Sequence, residues 1–515
     1  MSDASPGTVT GLSPAAAESL MRVVTAARWF AGKGRRTELR SFTPLPWLND
    51  PPAPTSPDAS FDEVPRVRLA VIEVGYPDEL GARPGDGPGD GPADQSAPGV
   101  EHYQLALAHR VDRVPAGVAA AVPELYVDDD SVVYDATQDV AGARVLLQSL
   151  LAEQEVGSED GSPQSSVRFH LRDRASLAPD LEPQVFRGQQ SNTSVMFGDV
   201  AMLKLFRRLE LGRNLDIAVH AALNDAGMTD VARLFGSVEA TWTSGGQVLG
   251  ADLAMCVEKL ADAVDGWDLA LASLEAETRG STEGHEPGFA SHAEALGRAL
   301  AEVHAALRTA FGTTGQPGST VAATMTQRLD AVAAVAPALA PYADGLRDRF
   351  AALSGVELDA QRVHGDFHLG QTLHTPSGWK IIDFEGEPAK TLAERVAPDS
   401  VWRDVAGMMR SFDYAAASVP GESAGAWRDG CRTAFLDGYT DGAGLGTDDV
   451  GLLAAYEADK AVYEVVYEVR NRPDWVGIPL GAVAVLAAPA SPDGHASPNP
   501  NDPNDPNDPN DEERS

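Results

Sequence analysis

Cysteine, basic residues and long apolar runs are the features that this 515-residue sequence has least of. Its two cysteines, Cys256 and Cys431, are too few for a disulfide framework, and they form no Cys-x-x-Cys pair of the kind that binds zinc. No run of about eighteen apolar residues is present, so no membrane span is expected. The first residues show no basic stretch followed by an apolar core, so no secretory signal is expected either. These absences predict a reducing, cytoplasmic location.

Acidic residues outnumber basic ones by 76 to 40, which gives a formal net charge of −36 at pH 7. Nucleic-acid binding needs clustered cations, so no nucleic-acid partner is expected. An anionic protein also repels anionic small molecules at long range, so a neutral or cationic substrate is favoured.

The pattern of apolar residues changes along the chain. Strand-like runs at Val67–Val74 and Tyr103–Ala108 flank a stretch rich in Gly, Pro and Asp at 81–98, which predicts a long hairpin. Leu20–Phe30 is predicted to be a helix, and short apolar runs between 120 and 210 favour antiparallel sheet. Beyond residue 290, apolar residues recur at three- and four-residue spacing, which indicates helices. A β-rich part followed by a helix-rich part predicts two lobes with a cleft between them.

Two short segments carry the strongest chemical signal. Val363–Gln371 reads VHGDFHLGQ, and Lys380–Gly386 reads KIIDFEG. Kinase catalytic loops contain His-x-Asp with an amide ligand five residues after the aspartate, and a metal-binding aspartate follows on the next strand. Gln371 stands five residues after Asp366, and Asp383 stands seventeen residues after it, behind a predicted strand. This order predicts Asp366 as the catalytic base, with Gln371 and Asp383 as oxygen ligands of Mg²⁺.

The phosphates of ATP need positive charge and hydrogen-bond donors as well as a metal ion. Lys204 lies in the apolar run Val200–Phe206, and its side chain is predicted to reach the phosphates. Upstream, the glycine-free segment Gln189–Ser194 is predicted to cover them with hydroxyl and amide groups. The predicted cofactor-binding residues are Lys204, Ser191, Thr193 and Glu258. His364 is expected to brace the catalytic loop, and His368 has no assigned role.

Two alternatives to a kinase are a metallohydrolase and a non-catalytic pseudokinase. His364-x-Asp366-x-His368 could bind the metal of a metallohydrolase, but the only Asp-x-His pair elsewhere, Asp493 and His495, lies in the predicted disordered tail. A non-catalytic pseudokinase would be expected to lack Lys204, Asp366 or Asp383, and all three are present.

The sequence resembles the actinobacterial maltokinases, which are similar to aminoglycoside phosphotransferases. The resemblance rests on the two loops above and on three further segments. These segments are Ala27–Arg35 (ARWFAGKGR), Arg403–Tyr414 (RDVAGMMRSFDY) and Lys460–Glu468 (KAVYEVVYE), the last continuing to Trp475.

The resemblance implies an α+β, bilobal, eukaryotic-kinase-like fold. Its parts are expected to be an N-terminal cap at 1–115, an N-lobe and intermediate nucleotide-binding part at 116–262, a helical C-lobe with the catalytic and substrate sites at 263–488, and a disordered tail at 489–515. The implied reaction transfers the γ-phosphate of ATP, with Mg²⁺, to the anomeric hydroxyl of maltose for glycogen or α-glucan synthesis. A complex with a trehalose-converting enzyme is a further expectation.

A helix near the C-terminus is expected to contact the sugar. The implied substrate residues are Lys460, Tyr463, Glu464, Tyr467, Asn471 and Trp475. Most of them share one helical face, whereas Val462, Val465, Val466 and Val469 are assigned to the core face. Spacing alone fits a solvated face equally well, and the resemblance favours substrate contact.

The chain departs from the maltokinase pattern near Lys204. Asp216 is present after Asn214, but Ala218 stands where a second acidic residue is usual, so the sequence leaves the partner of Lys204 open. Glucosamine kinases share the same loops, and a glucosamine or aminoglycoside kinase is the alternative prediction.

Overall fold

The computed structural model consists mostly of strands in the first part of the chain and mostly of helices beyond residue 265. The structure describes residues 11–50, 64–77, 99–111, 124–128, 131–158, 165–174, 176–186, 192–279, 288–388, 390–419 and 421–488. The predicted loop at 81–98 and the predicted tail at 489–515 lie outside the described residues.

The strands are β1 (Glu38–Trp47), β2 (Arg66–Gly75), β3 (Val100–Val111), β4 (Tyr126–Asp128), β5 (Ser131–Asp135), β6 (Glu155–Gly157), β7 (Ser166–Leu171), β8 (Pro183–Val185), β9 (Thr193–Phe197), β10 (Ala201–Leu205), β11 (Arg208–Leu209), β12 (Leu234–Ser244), β13 (Gln247–Glu258), β14 (Val264–Asp265), β15 (Thr313–Pro317), β16 (Glu357–Gln361), β17 (Thr372–Thr375), β18 (Gly378–Ile381) and β19 (Asp399–Ser400).

The α-helices are α1 (Pro14–Ala26), α2 (Val140–Leu151), α3 (Leu215–Asp225), α4 (Gly266–Thr278), α5 (Phe289–Phe311), α6 (Gly318–Val335), α7 (Ala343–Ala351), α8 (Leu392–Val396), α9 (Trp402–Ser418), α10 (Ala424–Tyr439), α11 (Thr447–Asn471) and α12 (Gly477–Ala487).

The first sheet, called here the N-terminal sheet, has the strand order β1-β2-β3-β5-β4, and β11 also pairs with β3. Strands β2 and β3 pair antiparallel from Arg66 opposite His109 to Gly75 opposite Val100. This pairing confirms the predicted hairpin. Because β4, β5 and β11 belong to the same sheet, it extends past residue 115, where the sequence analysis placed the end of the cap.

Helix α1 packs against this sheet through Leu20 and Val24, which are fully buried. The helix begins at Pro14, where the Ser13 hydroxyl accepts a hydrogen bond from the backbone N–H of Ala16 at 3.2 Å. It ends at Ala26, so the predicted span of Leu20–Phe30 is shifted. Beyond Ala26 the backbone becomes extended, and the buried Phe30 ring packs on Tyr103 instead, with 5.1 Å between ring centroids. The apolar pattern therefore continued where the helix did not.

The second sheet carries the predicted nucleotide contacts Thr193, Lys204 and Glu258 and is therefore named the nucleotide sheet. Its strand order is β6-β7-β12-β13-β10-β9-β8. In β10, Ala201, Leu203 and Leu205 are buried, whereas Met202 and Lys204 on the other face are half-buried. This alternation and the antiparallel pairing with β9 and β13 confirm the sheet that was predicted between residues 120 and 210.

The two sheets share one hydrophobic core. A single cluster of buried side chains includes Leu69 of β2, Leu147 of α2, Leu203 of β10 and Trp242 of β12. Trp242 has no exposed surface. Such a shared core means that the N-terminal sheet and the nucleotide sheet stabilise each other.

The described chain divides into two compact units. Met1–Gln316 with Leu358–Thr447 forms the first, which holds the N-terminal sheet, the nucleotide sheet, helix α5 and the segments Val363–Gln371 and Lys380–Gly386. Pro317–Glu357 with Asp448–Ser515 forms the second, which holds α6, α7, α12 and almost all of α11. The predicted helical part at 263–488 is thus divided between the units. In α5, the predicted core residues Ala293, Leu296, Leu300, Val303 and Leu307 are all buried, as expected.

Within the second unit, α7 and α12 approach closely. A Cβ added to Gly345 would lie 2.1 Å from the backbone oxygen of Ala487, so only glycine fits there. A search of the described helices for one long and apolar enough to cross a membrane found none.

Candidate active site

Four side chains from three parts of the first unit meet around one ammonium group. The Nζ atom of Lys204 on β10 lies 3.2 Å from an Asp216 carboxylate oxygen, 2.9 Å from Glu385 and 3.9 Å from Asp383. These contacts identify the acidic partners of Lys204, which the sequence had left open.

Asp216 is held in place by the first turn of helix α3. Asn214 caps this helix by accepting a hydrogen bond from the Ile217 N–H at 3.1 Å. One Asp216 oxygen accepts a hydrogen bond from the Phe384 backbone N–H at 3.1 Å and lies 3.0 Å from Nδ1 of His220. Asp216 thereby links α3 to the segment that carries Asp383 and Glu385.

The cluster runs from the interior to the surface. The side chain of Asp216 is 4% exposed, that of Lys204 19%, that of Glu385 33% and that of Asp383 41%. A ligand that enters from solvent therefore meets Asp383 and Glu385 first, and Asp216 serves as a buried counter-charge for the lysine.

The carboxylates set the charge states of this cluster. Burial alone would lower the pKa of Lys204, but the charges of Asp216 and Glu385 outweigh it and hold that pKa well above its ordinary value. Burial opposes ionisation of Asp216 as well, yet Lys204 and His220 bring its pKa well below the usual range. For Glu385, burial outweighs the attraction of Lys204 and raises the pKa. In this arrangement Lys204 therefore compensates the charge of Glu385 only in part.

Asp383 follows β18 in a left-handed backbone conformation, with a φ of 66°. This conformation is uncommon for a residue other than glycine, and strained residues of this type cluster at functional sites. The Gln371 side-chain amide donates a hydrogen bond to Asp383 at 3.2 Å. The two predicted metal ligands are thus neighbours.

The donor set suits a hard divalent cation. Asp216, Asp383 and Glu385 each offer a carboxylate oxygen within 4.8 Å of the others, and this potential metal-binding group of the described residues contains no histidine. Magnesium prefers oxygen ligands of this kind. Sequence reasoning had missed Glu385, although its position two residues after Asp383 was a visible signal.

The predicted catalytic loop, Val363–Gln371, contacts the backbone directly after β18. His364 Nε2 lies 2.9 Å from the backbone oxygen of Ile382, the residue before Asp383. The predicted bracing role of His364 is therefore seen in its contacts. Asp366, two residues further on, is half-buried. His368 Nδ1 instead accepts a hydrogen bond from the Gly370 N–H at 3.1 Å.

Asp404 on helix α9 holds the catalytic loop from the other side. Its two oxygens accept hydrogen bonds from the backbone N–H groups of His364 at 2.7 Å and of Gly365 at 2.8 Å. His304 of α5 lies 3.0 Å from the same carboxylate and 2.8 Å from the hydroxyl of Tyr439. Asp404 is fully buried, and sequence reasoning gave it no role.

The predicted phosphate-covering turn is described in part. Ser191 lies outside the described residues. Thr193 begins β9, and its hydroxyl accepts a hydrogen bond from Arg207 Nε at 2.7 Å. Glu258 ends β13, where its carboxylate accepts a hydrogen bond from the Arg233 N–H at 3.3 Å. The structure thus places Glu258 at the end of a strand of the nucleotide sheet, outside the carboxylate cluster around Lys204.

The predicted substrate residues lie on or just after α11 in the second unit. Lys460 Nζ is 5.6 Å from the centroid of the Tyr463 ring, and the guanidinium of Arg472 is 5.5 Å from that of Tyr467 and 4.9 Å from that of Trp475. Asn471 donates a hydrogen bond to the backbone oxygen of Tyr467 at 2.8 Å. Glu464 is half-buried on the same helix.

The predicted core face of α11 needs one correction. Val462 and Val465 are fully buried, but Val469 is 40% exposed. Glu468 is buried in its stead, because both of its oxygens accept hydrogen bonds from Arg472, at 2.6 and 2.9 Å. The paired carboxylate can be buried since its charge is satisfied locally.

Known proteins are similar to this chain in sequence and in fold. The model of the phosphotransferase enzyme family (APH) matches residues 184–445. The chain is 33% identical to a glucosamine kinase of Streptacidiphilus jiangxiensis, over 56% of this chain and 70% of the relative. It is 30% identical to a glucosamine kinase of Mycolicibacterium smegmatis, over 58% and 77%. A solved glucosamine kinase, in complex with glucosamine, ADP and inorganic phosphate, superposes with a TM-score of 0.60 and 23% identity, over 90% of this chain and 98% of that one.

The chain belongs to the phosphotransferase enzyme family. This membership confirms the prediction of an enzyme that uses an alcohol group as phosphoryl acceptor, and the superposition confirms the predicted α+β, kinase-like fold. It also removes the metallohydrolase alternative.

Proposed function

We propose that this protein is a kinase that transfers the γ-phosphate of ATP, with Mg²⁺, to a hydroxyl group of a sugar or amino sugar. The observation that carries the proposal is the meeting of Lys204, Gln371, Asp383 and Glu385 at one point, with the Asp366 loop bonded to the residue before Asp383. Family membership and the glucosamine kinase relatives support it.

Each residue has a chemical task in this proposal. Gln371, Asp383 and Glu385 would hold Mg²⁺, which neutralises phosphate charge when it is bound. Lys204 would exchange one of its carboxylate partners for a phosphate oxygen. Asp366 would orient the acceptor hydroxyl and take its proton. Ser191, Thr193 and Glu258 remain predicted nucleotide contacts.

The named relatives favour glucosamine as the acceptor. Glucosamine can carry a positive charge on its amino group, and a chain with a net charge of −36 attracts cations. Maltose is the second candidate, and the observation that favours it is the maltokinase-like sequence of residues 27–35 and of 460–475. The resemblance that favours maltose also suggests α-glucan synthesis and a complex with a trehalose-converting enzyme, which stay predictions.

The acceptor can be determined with purified protein. ATP consumption would be measured with glucosamine, maltose, glucose and an aminoglycoside, each with and without Mg²⁺, and the phosphorylated product would be identified by mass spectrometry. We expect Mg²⁺-dependent turnover on glucosamine or maltose. Turnover on the aminoglycoside alone would contradict the proposed sugar acceptor, and turnover on none of the four would contradict the proposed function.

A further inference from the structure

The chain passes from the nucleotide sheet to the N-terminal sheet through two residues, Phe206 and Arg207. Phe206 still belongs to the nucleotide sheet, because its backbone N–H donates to the oxygen of Leu253 at 2.9 Å. The backbone oxygen of Arg207 already accepts from the N–H of Gln104 on β3, at 2.8 Å. Arg207 therefore stands at the junction of the two sheets, three residues after Lys204.

The side chain of Arg207 joins three parts of the first unit. It is 1% exposed, and its guanidinium forms an ion pair with Asp135 at the end of β5. Its Nε donates to the Thr193 hydroxyl at 2.7 Å, and its backbone N–H donates to the Asn192 side-chain oxygen at 3.4 Å. A buried guanidinium is stable only when its charge and N–H groups are satisfied, so these partners are held in fixed positions.

The maltokinase-like segment Ala27–Arg35 packs against the same guanidinium through Trp29. The ring of Trp29 lies 5.4 Å from the Arg207 guanidinium and 5.9 Å from the Tyr103 ring. The backbone N–H of Ala31 donates to the Tyr103 hydroxyl at 3.3 Å. A Cβ on Gly32 would lie 2.3 Å from the Tyr76 hydroxyl, so the segment lies directly against the N-terminal sheet. The segment thus packs between Arg207 and the N-terminal sheet residues Tyr76 and Tyr103.

We infer that Arg207 is a positioning residue for nucleotide binding: it fastens the Asn192–Thr193 turn to the N-terminal sheet. The inference rests on the proposed function, in which this turn covers the phosphates. A turn without glycines has to contact the phosphates through side chains, which must be held in one conformation. Arg207 holds Asn192 and Thr193 in place before the nucleotide binds. Such preorganisation lowers the entropy lost on binding.

The inference predicts a selective effect on the nucleotide. Arg207→Lys keeps the charge but cannot reach Asp135 and Thr193 with one planar group. Loss of one charge-assisted hydrogen bond corresponds to about a tenfold change in affinity. We therefore expect the Kd of MgADP and the KM for ATP to rise about tenfold, with the KM for the acceptor changed by less than about twofold.

A double-mutant cycle tests the link itself. Thr193→Val removes the hydroxyl that Arg207 contacts, from a half-buried position where the swap is nearly isosteric. If the two residues act through one contact, the effects of the two substitutions do not add. The Kd of Arg207→Lys/Thr193→Val for MgADP should then exceed the Kd of the worse single variant by no more than about twofold. Fully additive effects would overturn the inference.

Arg110→Lys is a matched control. Arg110 is another arginine of the N-terminal sheet, with a side chain that is 10% exposed, and it donates hydrogen bonds to Tyr134 at 2.7 Å and to Asp139 at 2.9 Å. Its variant should bind MgADP like the wild type. Equal weakening in Arg110→Lys, or unchanged binding in Arg207→Lys, would overturn the inference.

Two measurements on the full chain, thermal unfolding and MgADP affinity, distinguish a folding defect from a binding defect. Thermal unfolding shows which variants fold. If Arg207→Lys does not fold, Asp135→Asn removes the same ion pair, and an unchanged MgADP affinity of that variant would overturn the inference. A wild type that binds no MgADP would contradict the proposed function and the inference together. A wild type that binds it, with Arg207→Lys binding equally, contradicts the inference alone.

Discussion

The ammonium group of Lys204 lies 2.9 Å from Glu385, a carboxylate that stands two residues after Asp383 and 181 residues after the lysine. This contact connects the strand of the nucleotide sheet to the loop that carries the proposed metal ligands. Glu385 therefore has two possible cations, the lysine and a bound metal ion. Its raised pKa indicates that Lys204 alone does not satisfy its charge.

Replacing Glu385 should weaken the response to magnesium. Glu385→Gln removes one of three clustered carboxylates, so we expect the Mg²⁺ concentration for half-maximal activity to rise about tenfold, as ligand charge count sets affinity for hard cations. Activity would be measured over a magnesium titration at saturating ATP. Glu155→Gln, at a surface carboxylate that is 57% exposed, serves as control and should leave the titration unchanged. An unchanged titration for Glu385→Gln would remove Glu385 from the metal site.

Loss of the proposed base should slow the chemical step without loss of binding. Asp366→Asn keeps the size of the side chain but cannot accept the proton of the acceptor hydroxyl. We expect kcat to fall about 10²–10⁴-fold, the usual contribution of a positioned base. Steady-state kinetics measure the fall, and binding of MgADP should be preserved. Full turnover in this variant would show that another group serves as base.

The buried carboxylate of Asp404 should make the stability of the fold depend on pH. Burial opposes the ionisation of Asp404, but the hydrogen bond and the electrostatic interaction with His304 outweigh it. The pKa of Asp404 is therefore below its ordinary value of 3.8. An acid with a lowered folded-state pKa stabilises the fold fully above its unfolded pKa, and this stabilisation is lost as pH falls through the folded value. Asp404→Asn should therefore reduce the free energy of unfolding at neutral pH by about 2 kcal/mol.

Urea unfolding at a series of pH values tests this expectation. The difference between the wild type and Asp404→Asn should be constant near neutral pH and should narrow below the ordinary pKa of aspartate. A difference that grows on acidification would contradict the assignment. Because Asp404 holds the backbone of His364 and Gly365, kcat should fall more than either KM.

Gly407 on α9 should tolerate no side chain. A Cβ there would lie 2.4 Å from the backbone oxygen of Phe367, the residue after Asp366. Gly407→Ala must therefore displace the catalytic loop, and we expect a loss of about 1–3 kcal/mol in stability together with reduced kcat. Gly430→Ala is the matched control, because Gly430 is exposed within α10 and meets nothing within 4 Å. This control should gain about 0.5–1 kcal/mol by calorimetry and keep full activity. Equal melting temperatures for the two variants would contradict the close approach.

Glu464, one of the predicted substrate residues on α11, can distinguish the two candidate acceptors. If Glu464 contacts the ammonium of glucosamine, Glu464→Gln removes a charge-assisted hydrogen bond, and the KM for glucosamine should rise by more than about tenfold. If it contacts a maltose hydroxyl, the rise should be nearer to threefold, since only one partner of that hydrogen bond carries a charge. The KM for ATP should not change in either case. A variant with unchanged KM for every acceptor would place the sugar elsewhere.

The sequence predicted the parts of the site that follow from local spacing. Asp366, Gln371 and Asp383 were placed by their separations and by the strand before Asp383, and Lys204 by the alternation of its strand. Helix α1 and Val469 show where this approach fails. Apolar residues continue past Ala26 although the helix ends there, and Val469 keeps the core spacing although Glu468 is the residue buried. Periodicity reports which residues are apolar, and it does not show which packing partner each one finds.

The sequence by itself determined the chemical groups and their order: a strand lysine, then an aspartate, an amide and a second aspartate at kinase spacing, which predicted a phosphotransferase. Only the tertiary structure decided which distant groups meet. Three sets of contacts join residues that are far apart in the chain. They are the ion pairs of Lys204 with Asp216 and Glu385, the hydrogen bond of Asp404 with the His364 backbone, and the contact of Arg207 with Asp135. Local patterns carry no information on such contacts, because the free energy of a buried ion pair or hydrogen bond depends on the partner that folding brings to it.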